Sequence, residues 1–234
     1  MIFSEFIINT CNLLLPPLCL SCGRKLLEEN RPICYNCYST IEYLPPVKCI
    51  QCAKPQKKTG ICTECKKTLP YFDRIYSIFI YKKPVDALLH YFKYQGYKNI
   101  LHFFQPFIEE AALKLRQETV HEIIPVPMHR GKLKEREYNH SYLIAEIIAK
   151  MLKIPIRKRT YVKKEYPPQA KTTIKKKRKI NVVNIFGIDT KPEKCVLIVD
   201  DVVTTTSTVN ELSRILKNAG AERVFVFSLA RTPN

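Results

Sequence analysis

The sequence lacks the long apolar segments of a membrane-spanning protein and the leader of an exported one. Its longest apolar runs, Leu13–Leu18 and Val224–Ala230, fall far short of the ~18–20 residues that cross a bilayer. The first ten residues carry Glu5 but no basic segment, and no small-residue cleavage site follows. We therefore expect a cytoplasmic chain without a membrane span.

Acidic residues are also scarce. Asp and Glu number 21 against 39 Lys and Arg, which gives a formal net charge of +18 over 234 residues. Such an excess favours phosphate-rich partners, namely nucleic acid, nucleotides or anionic lipid. Apolar residues at 46% and charged residues at 26% are ordinary for a globular protein, which excludes a chain disordered throughout.

Much of the positive charge lies in one segment. Residues 153–179 hold twelve Lys or Arg and a single acid, Glu165. Basic groups beside aromatic rings such as Tyr161 and Tyr166 are typical of surfaces that bind single-stranded nucleic acid. A solvated loop is the alternative interpretation. The densest run, which we predict to contact single-stranded DNA, consists of Lys175, Lys176, Lys177, Arg178 and Lys179.

Cysteine is abundant and regularly spaced. Eight of the ten cysteines form four Cys-x-x-Cys pairs: Cys19/Cys22, Cys34/Cys37, Cys49/Cys52 and Cys62/Cys65. In a protein that is not exported, such pairs indicate zinc rather than disulfides, because two pairs complete a tetrahedron of thiolates. We expect one or two structural zinc ions. The pairs combine either sequentially, which is the simplest arrangement, or in an interleaved order.

The pattern along the chain predicts two domains. Residues 1–68 are expected to form a short amphipathic N-terminal helix and a zinc-ribbon module. That helix packs on the module or, in the alternative, lies on a membrane surface. A module of ~50 residues rarely supports a core of its own, so metal must stabilise it.

Residues 69–234 alternate between strands and helices. This alternation predicts an α/β domain with a parallel sheet, helices on both faces and a basic insertion near residues 153–181. The predicted strands are Ile75–Tyr81, Glu122–Val126, Cys195–Val199 and Val224–Leu229, and the predicted helices are Pro84–Tyr94, Ile100–Arg116, Tyr138–Leu152 and Ser207–Ala219.

The most specific chemical pattern spans residues 195–208. An apolar strand delivers two carboxylates, Asp200 and Asp201, and a hydroxyl-rich loop then opens a helix; the loop residues are Thr204, Thr205, Thr206, Ser207 and Thr208. Backbone amides at a helix start bind phosphate, and ligands bind at the carboxyl ends of parallel strands. Carboxylates accept hydrogen bonds from sugar hydroxyls and stabilise positive charge on a ribose ring. The pattern predicts a site for a phosphorylated ribose, against the alternative of an acid pair that only caps the helix.

A second loop fits the same ligand. It follows the strand that ends at Pro127, and a loop in that position can bind a diphosphate. Its candidate side chains are Arg130, Lys132 and Arg136, because guanidinium and ammonium groups pair with phosphate oxygens. The alternative is a solvated basic loop.

At these residues the chain resembles the ComF family of competence proteins, which join a zinc-ribbon module to a type I phosphoribosyltransferase domain. The resemblance runs from about Leu18 to the end of the sequence, and its most specific part is the loop at residues 199–208. The other matching segments are Pro125-Val126-Pro127, Arg136–Asn139, Tyr81 through Lys93-Tyr94, Leu229-Ala230-Arg231, and the separate positions Arg159, Thr160, Gln169, Arg178, Asn181 and Phe186.

The resemblance implies a function as well as a fold. It implies binding of phosphoribosyl pyrophosphate (PRPP) with Mg²⁺, in a protein that acts in natural transformation after DNA has entered the cell. The hydroxyl-rich loop would hold the phosphoribosyl group, the acid pair would hold the ribose, and Arg130 and Lys132 would hold pyrophosphate.

Three positions depart from the family pattern. Thr206 and Glu137 stand where Gly is usual, and a β-branched residue at a left-handed position costs on the order of 1 kcal/mol. Thr204 stands where purine phosphoribosyltransferases carry an Asp that acts as a base, and threonine cannot take that role near pH 7.

The sequence is compatible with three functions. The one we favour is a protein that binds PRPP and single-stranded DNA. The second is an active phosphoribosyltransferase with an unknown acceptor. The third is a zinc ribbon that docks a DNA-processing protein.

Overall fold

A computed structural model describes residues 17–26, 31–94, 96, 99–157, 160–162 and 185–233. Its helices are α1 (Tyr35–Tyr38), α2 (Thr63–Lys67), α3 (Val85–Tyr94), α4 (Ile100–Leu115), α5 (Arg130–Arg136), α6 (His140–Leu152) and α7 (Ser207–Asn218), with a 3₁₀ turn at Arg116–Glu118. Its strands are β1 (Arg74–Ile80), β2 (Glu122–Pro125), β3 (Thr160–Val162), β4 (Phe186–Ile188), β5 (Cys195–Val203) and β6 (Arg223–Arg231).

Four parallel strands form the central sheet in the order β1-β6-β5-β2, while β3 and β4 pair as a separate antiparallel sheet. The central strands β5 and β6 are mostly apolar, as expected of strands covered on both faces. Alternate residues of β5 point to opposite faces, so Leu197 and Val199 join one core cluster and Val196 and Ile198 join the other. The parallel sheet with helices on both faces confirms the predicted fold class.

Each face of the sheet also carries one cysteine-rich module. The first ribbon, residues 19–37, places Cys19 and Ile33 in a cluster with core residues of α3, α4 and α6. The second ribbon, residues 49–65, places its four paired cysteines in the opposite cluster, with Leu212 of α7. The two ribbons therefore lie on opposite faces of one sheet.

The structure corrects two local predictions. Residues 130–136, predicted as a loop, form helix α5, since Lys, Leu, Glu and Arg favour helix and His129 caps its start. The amide of Gly131 donates a hydrogen bond to His129 Nδ1 at 3.2 Å. Strand β5 continues beyond its predicted end because it pairs with β6 as far as Val203 and Arg231. The acid pair thus lies within the end of the strand. The other predicted strands and helices of residues 69–234 agree with the structure to within two residues at either end.

Several predictions concern residues outside the described ranges. They include nearly all of the N-terminal helix, the basic run Lys175–Lys179, Tyr166, Arg159, Gln169 and Asn181. Among the residues that are described, no helix combines the length and the apolar character needed to cross a bilayer.

Candidate functional site

The eight paired cysteines form two separate clusters. In each, the four sulfurs lie within 4.8 Å of one another. The first cluster consists of Cys19, Cys22, Cys34 and Cys37, and the second of Cys49, Cys52, Cys62 and Cys65. The pairs therefore combine sequentially, and the interleaved alternative is wrong.

The sulfur spacing fits zinc. A tetrahedral Zn²⁺ with Zn–S distances of about 2.3 Å places its sulfurs about 3.8 Å apart. The sulfurs of Cys22 and Cys34 are 3.7 Å apart, and so are those of Cys52 and Cys62. Four thiolates leave no open position, so zinc bound at either cluster would be structural.

Backbone amides prepare one thiol in each cluster for metal binding. The amide of Cys34 donates to the Cys19 sulfur at 3.3 Å, and the amide of Cys62 donates to the Cys49 sulfur at the same distance. Burial acts to raise the pKa of both thiols, but the amide donors outweigh it. They lower the pKa of Cys19 to about 6 and that of Cys49 to about 7. The thiolate is the form that binds metal.

A cleft of about 590 Å³ opens at the carboxyl ends of β2 and β5. Both acids of the pair reach it from β5, and Thr208 reaches it from the start of α7. Its basic and polar wall comes from Lys93 and Tyr94 of α3 and from Lys132 and Arg136 of α5. Its apolar wall comes from Val162, Ile185 and Phe186. The acid pair that the sequence singles out therefore borders an open concave surface, and its role in binding a sugar phosphate stays a prediction.

The acid pair is held by specific contacts. Lys93 Nζ lies 2.9 Å from Asp201 Oδ1, and both side chains are largely buried, with 18% and 11% exposed. Asp200 Oδ1 accepts hydrogen bonds from Ser141 Oγ at 3.1 Å and from the Asp201 amide at 2.9 Å. Each carboxylate keeps one oxygen that none of these contacts uses, so each can accept a sugar hydroxyl.

The two carboxylates compete for ionisation. Burial, and then the charge of Asp201, raise the pKa of Asp200 to about 7, although Lys93 and the hydrogen bonds oppose the rise. Burial also works against the charge of Lys93, but both acids together raise the pKa of that ammonium. The Asp200 carboxyl therefore loses its proton near neutral pH rather than near pH 4.

Behind the acid pair lies His140, which is 1% exposed. Burial lowers the pKa of His140 to about 4, so its ring is neutral at pH 7. Because Nε2 lies 3.0 Å from the Phe92 carbonyl, we assign the ring proton to Nε2, which donates to that oxygen. The neutral ring packs edge-on against Phe92 and Tyr138 and adds no charge to the cleft.

The hydroxyl-rich loop keeps its amides available. Within the described part of the chain, no amide of residues 204–208 donates a hydrogen bond. Thr204 and Thr205 are exposed, and the loop surrounds a small recess of about 30 Å³ beside Asp200. Thr206 caps α7 in the left-handed region, with φ 60° and no capping hydrogen bond from its side chain. The cost expected for a β-branched residue at that position therefore applies.

Helix α5 separates the three basic residues predicted to bind diphosphate. Lys132 and Arg136, one helical turn apart, both face the cleft, and the Arg136 guanidinium lies 4.5 Å from the centre of the Tyr94 ring. Arg130 projects elsewhere and lines a neighbouring cavity of about 440 Å³ with His129 and other residues. The structure therefore brings two of the three to the acid pair. Their role in binding diphosphate remains a prediction.

Sequence reasoning assigned no role to Lys93 or Ser141. A signal for Lys93 exists: it lies four residues after Leu89 on the apolar face of α3, and a cation on a buried face needs a counter-ion. The counter-ion could not be identified, because contact between α3 and β5 is a property of the folded sheet.

Comparison with known proteins agrees with this architecture. A family model described as a double zinc ribbon domain matches residues 10–70, and one described as a phosphoribosyl transferase domain matches residues 139–234. Competence protein F of Haemophilus influenzae is 27% identical, and the match covers 91% of this chain and 96% of that protein.

Two further relatives extend the comparison. DNA utilization protein YhgH of Salmonella typhimurium is 27% identical over 94% of this chain and 99% of its own length. Competence protein ComFC of Bacillus subtilis is 23% identical over 88% of this chain and 87% of its own length. The chain is a homologue of the ComF and YhgH proteins. This homology confirms the resemblance seen in the sequence, including its order of a zinc-ribbon module before a phosphoribosyltransferase domain.

Proposed function

We propose that the cleft binds PRPP with Mg²⁺, and that the protein acts in the use of incoming DNA, in the cytoplasm. The observation that carries the proposal is the cleft itself, where the acid pair, Thr208 of the hydroxyl-rich loop and two basic side chains of α5 face one space of about 590 Å³. The recess formed by residues 204–208 adjoins that space at Asp200 and Thr208. The relatives named as competence and DNA utilization proteins support the cellular role.

Each wall of the cleft has a separate task in this proposal. The amides of residues 204–208 bind the 5′-phosphate, and the acid pair accepts hydrogen bonds from the ribose hydroxyls. Lys132 and Arg136 bind the pyrophosphate oxygens. Mg²⁺ bound to the pyrophosphate would neutralise part of its charge.

Calorimetric titration with PRPP and Mg²⁺ tests the proposal. The double variant Asp200→Asn/Asp201→Asn keeps the shape of both side chains and removes their charge, and we expect at least a tenfold loss of affinity. Asp189→Asn is the matched control, because Asp189 is exposed and does not line the cleft, and its affinity should stay within twofold of wild type. A wild-type chain that binds no PRPP at millimolar concentration contradicts the proposal.

Catalysis is a further step beyond binding. A transferase would break the bond from C1′ to pyrophosphate and form one from C1′ to an acceptor, whose proton passes to solvent. The cavity of about 440 Å³ shares Pro127, Met128 and His129 with the cleft, which leaves room for an acceptor. Pyrophosphate release across a panel of nucleobases and amines tests turnover, and no release from any acceptor, with PRPP bound, contradicts it.

DNA binding is a second proposed function, favoured by a surface on the first ribbon. Arg24, Lys25 and Arg31 line a cavity of about 250 Å³ together with Tyr35, whose side chain is 73% exposed. Basic groups around an exposed aromatic ring are the arrangement on which single-stranded bases stack. The predicted contacts at Lys175–Lys179 lie outside the described residues.

Charge reversal tests where single-stranded DNA binds. With a fluorescently labelled oligothymidylate, Arg24→Glu/Lys25→Glu should weaken binding at least tenfold, and the affinity should fall steeply with salt. The matched control is Lys66→Glu/Lys67→Glu, which reverses two exposed lysines at the end of α2 on the second ribbon. Equal losses in the two variants would mean that the first ribbon has no specific role.

A further inference from the structure

The last residue of β6, Arg231, is a buried cation at the junction of two sites. It is 3% exposed, although it lies close to the end of the described chain. In the described part of the chain, no carboxylate lies within ion-pair distance of its guanidinium. Its hydrogen bonds go almost entirely to backbone carbonyl oxygens, so its position depends on where those carbonyls are held.

One side of the guanidinium contacts the second ribbon. Arg231 Nε donates to the carbonyl oxygen of Cys52 at 3.1 Å, across 179 residues of sequence. Cys52 belongs to the second four-cysteine cluster, and its sulfur lies 3.7 Å from that of Cys62. A metal ion at this cluster would fix the peptide that Arg231 contacts.

The other side of the guanidinium contacts the hydroxyl-rich loop. Arg231 Nη1 donates to the carbonyl oxygens of Val203 at 3.2 Å and of Thr204 at 2.6 Å. Thr232 Oγ1 donates to the same Thr204 oxygen at 3.1 Å. These bonds hold the first peptide of the loop whose amides are proposed to bind phosphate.

We propose that Arg231 is a positioning residue through which the second ribbon holds the hydroxyl-rich loop in the conformation that accepts a sugar phosphate. The inference rests on the proposed function for its ligand, and on metal binding at the second cluster. Among the described residues, no hydrogen bond joins the first ribbon to Arg231 or to residues 204–208, and the first ribbon packs on the opposite face of the sheet. PRPP and a metal ion at the second cluster would therefore favour the same conformation of the hydroxyl-rich loop, whereas a metal ion at the first cluster would not affect that loop.

Thermodynamic linkage makes this coupling measurable in both directions. If metal at the second cluster favours ligand binding, the ligand must stabilise the metal there by the same factor. We expect PRPP with Mg²⁺ to protect zinc at the second cluster by raising its equilibrium affinity there at least fivefold, and to leave the zinc affinity of the first cluster unchanged. Zinc affinity is measured by competition with a chromogenic chelator at equilibrium, and the variant Cys22→Ser, which disables the first cluster, identifies the zinc that belongs to the second.

Substitution of Arg231 tests its part in the coupling. Arg231→Lys keeps a charge, but its ammonium group cannot contact the Cys52 carbonyl and the Thr204 carbonyl with one planar group. We therefore expect PRPP to protect zinc less than twofold in this variant, and we expect the PRPP affinity to decrease about tenfold. The matched control is Arg223→Met on the same strand, at a half-exposed arginine that pairs with Glu118. If Arg231→Lys does not fold, Thr232→Val removes one bond to Thr204 and should reduce the protection partially.

The outcomes separate this inference from the proposed function. PRPP that binds wild type but protects both clusters equally, or neither, overturns the role of Arg231. If PRPP does not bind, the proposed function fails, and the role of Arg231 is then tested on the protein without PRPP. Exchange of Zn²⁺ for Cd²⁺ should then shift the amide resonances of residues 204–208 in wild type and not in Arg231→Lys. Equal shifts in both proteins overturn the inference.

Discussion

The two zinc ribbons share one local plan but differ in their relation to the rest of the molecule. In each, a turn carries the first cysteine pair: the amide of Cys19 donates to the Arg24 carbonyl and that of Cys49 to the Lys54 carbonyl, both at 2.8 Å. In each, a short helix carries the second pair, with Cys34 or Cys62 at its N-cap. The four cysteines of the second ribbon are all buried, whereas in the first only Cys19 is.

This difference in burial indicates that the two ribbons have different structural roles. The second ribbon is part of the core on its face of the sheet and reaches the hydroxyl-rich loop through Arg231. The first ribbon contributes fewer buried residues and presents basic groups and Tyr35 to solvent. A repeated module thus acts as scaffold on one face and as an exposed surface on the other.

Loss of one ligand in each ribbon is the strongest test of this comparison. Cys62→Ser should lower the free energy of unfolding by about 4 kcal/mol, because it removes a metal site that forms part of the core. Cys22→Ser, at an exposed ligand, should cost about 1–2 kcal/mol. Urea denaturation followed by circular dichroism, with zinc content measured on each protein, compares the two. Equal costs would mean that both ribbons are equally integrated.

Stability also depends on the acid pair, and this effect must be separated from that of the ribbons. The folded pKa of Asp200, about 7, lies above the ~3.9 of an unfolded Asp. Between these values the folded chain holds a proton that the unfolded chain has lost, so stability falls as pH rises from about 4 to about 7. Asp200→Asn removes this loss.

The expected gain for Asp200→Asn is roughly 2 kcal/mol at pH 8 and less at pH 5.5, measured by urea denaturation. Asp189→Asn should change stability equally little at both values. Lys93→Met removes the compensating cation and should steepen the decline of stability with pH. A gain from Asp200→Asn that is the same at both pH values would assign the pH dependence to the thiols of the ribbons instead.

The sequence is sufficient to predict most of the strands and helices and the chemical character of each segment. Hydrophobic periodicity predicts most strands and helices, and the cysteine spacing predicts the metal ligands. The sequence does not predict that the two ribbons lie on opposite faces of the sheet, nor that Arg231 contacts the carbonyl group of Cys52. These contacts join residues far apart in the chain, and many arrangements of the same elements satisfy the same local pattern. The helix at residues 130–136 was missed because a seven-residue basic segment has no apolar face to reveal its period.

Two equivalent positions in the ribbons provide a finer test. Gly23 and Ala53 each follow the second cysteine of the first pair, and both are left-handed, with φ 74° and 58°. A Cβ at Gly23 would meet nothing within 4 Å, so Gly23→Ala should cost about 1 kcal/mol from the backbone alone. Ala53 is fully buried, so Ala53→Gly relieves the backbone but loses a packed methyl group and should be nearly neutral. Urea denaturation measures both, and a gain above 1 kcal/mol at residue 53 would show that its methyl group adds nothing to the core.

The smallest expected effects lie at the cleft, where the two sides again differ. Thr206 lies in the loop that Arg231 contacts. Glu137 lies in the turn before Tyr138, and Tyr138 is part of the hydrophobic core on the face of the sheet that carries the first ribbon. Both are left-handed, with φ 60° and 64°, so Gly at either position should stabilise by about 0.5 kcal/mol after the entropy of the unfolded chain is included. Only Thr206→Gly should also raise PRPP affinity, by about two- to fivefold in calorimetry, because the relaxed residue lies among the amides proposed to bind phosphate. If Glu137→Gly raises the affinity as much, the gain comes from general stabilisation, and the loop on the second ribbon's side has no special part in binding.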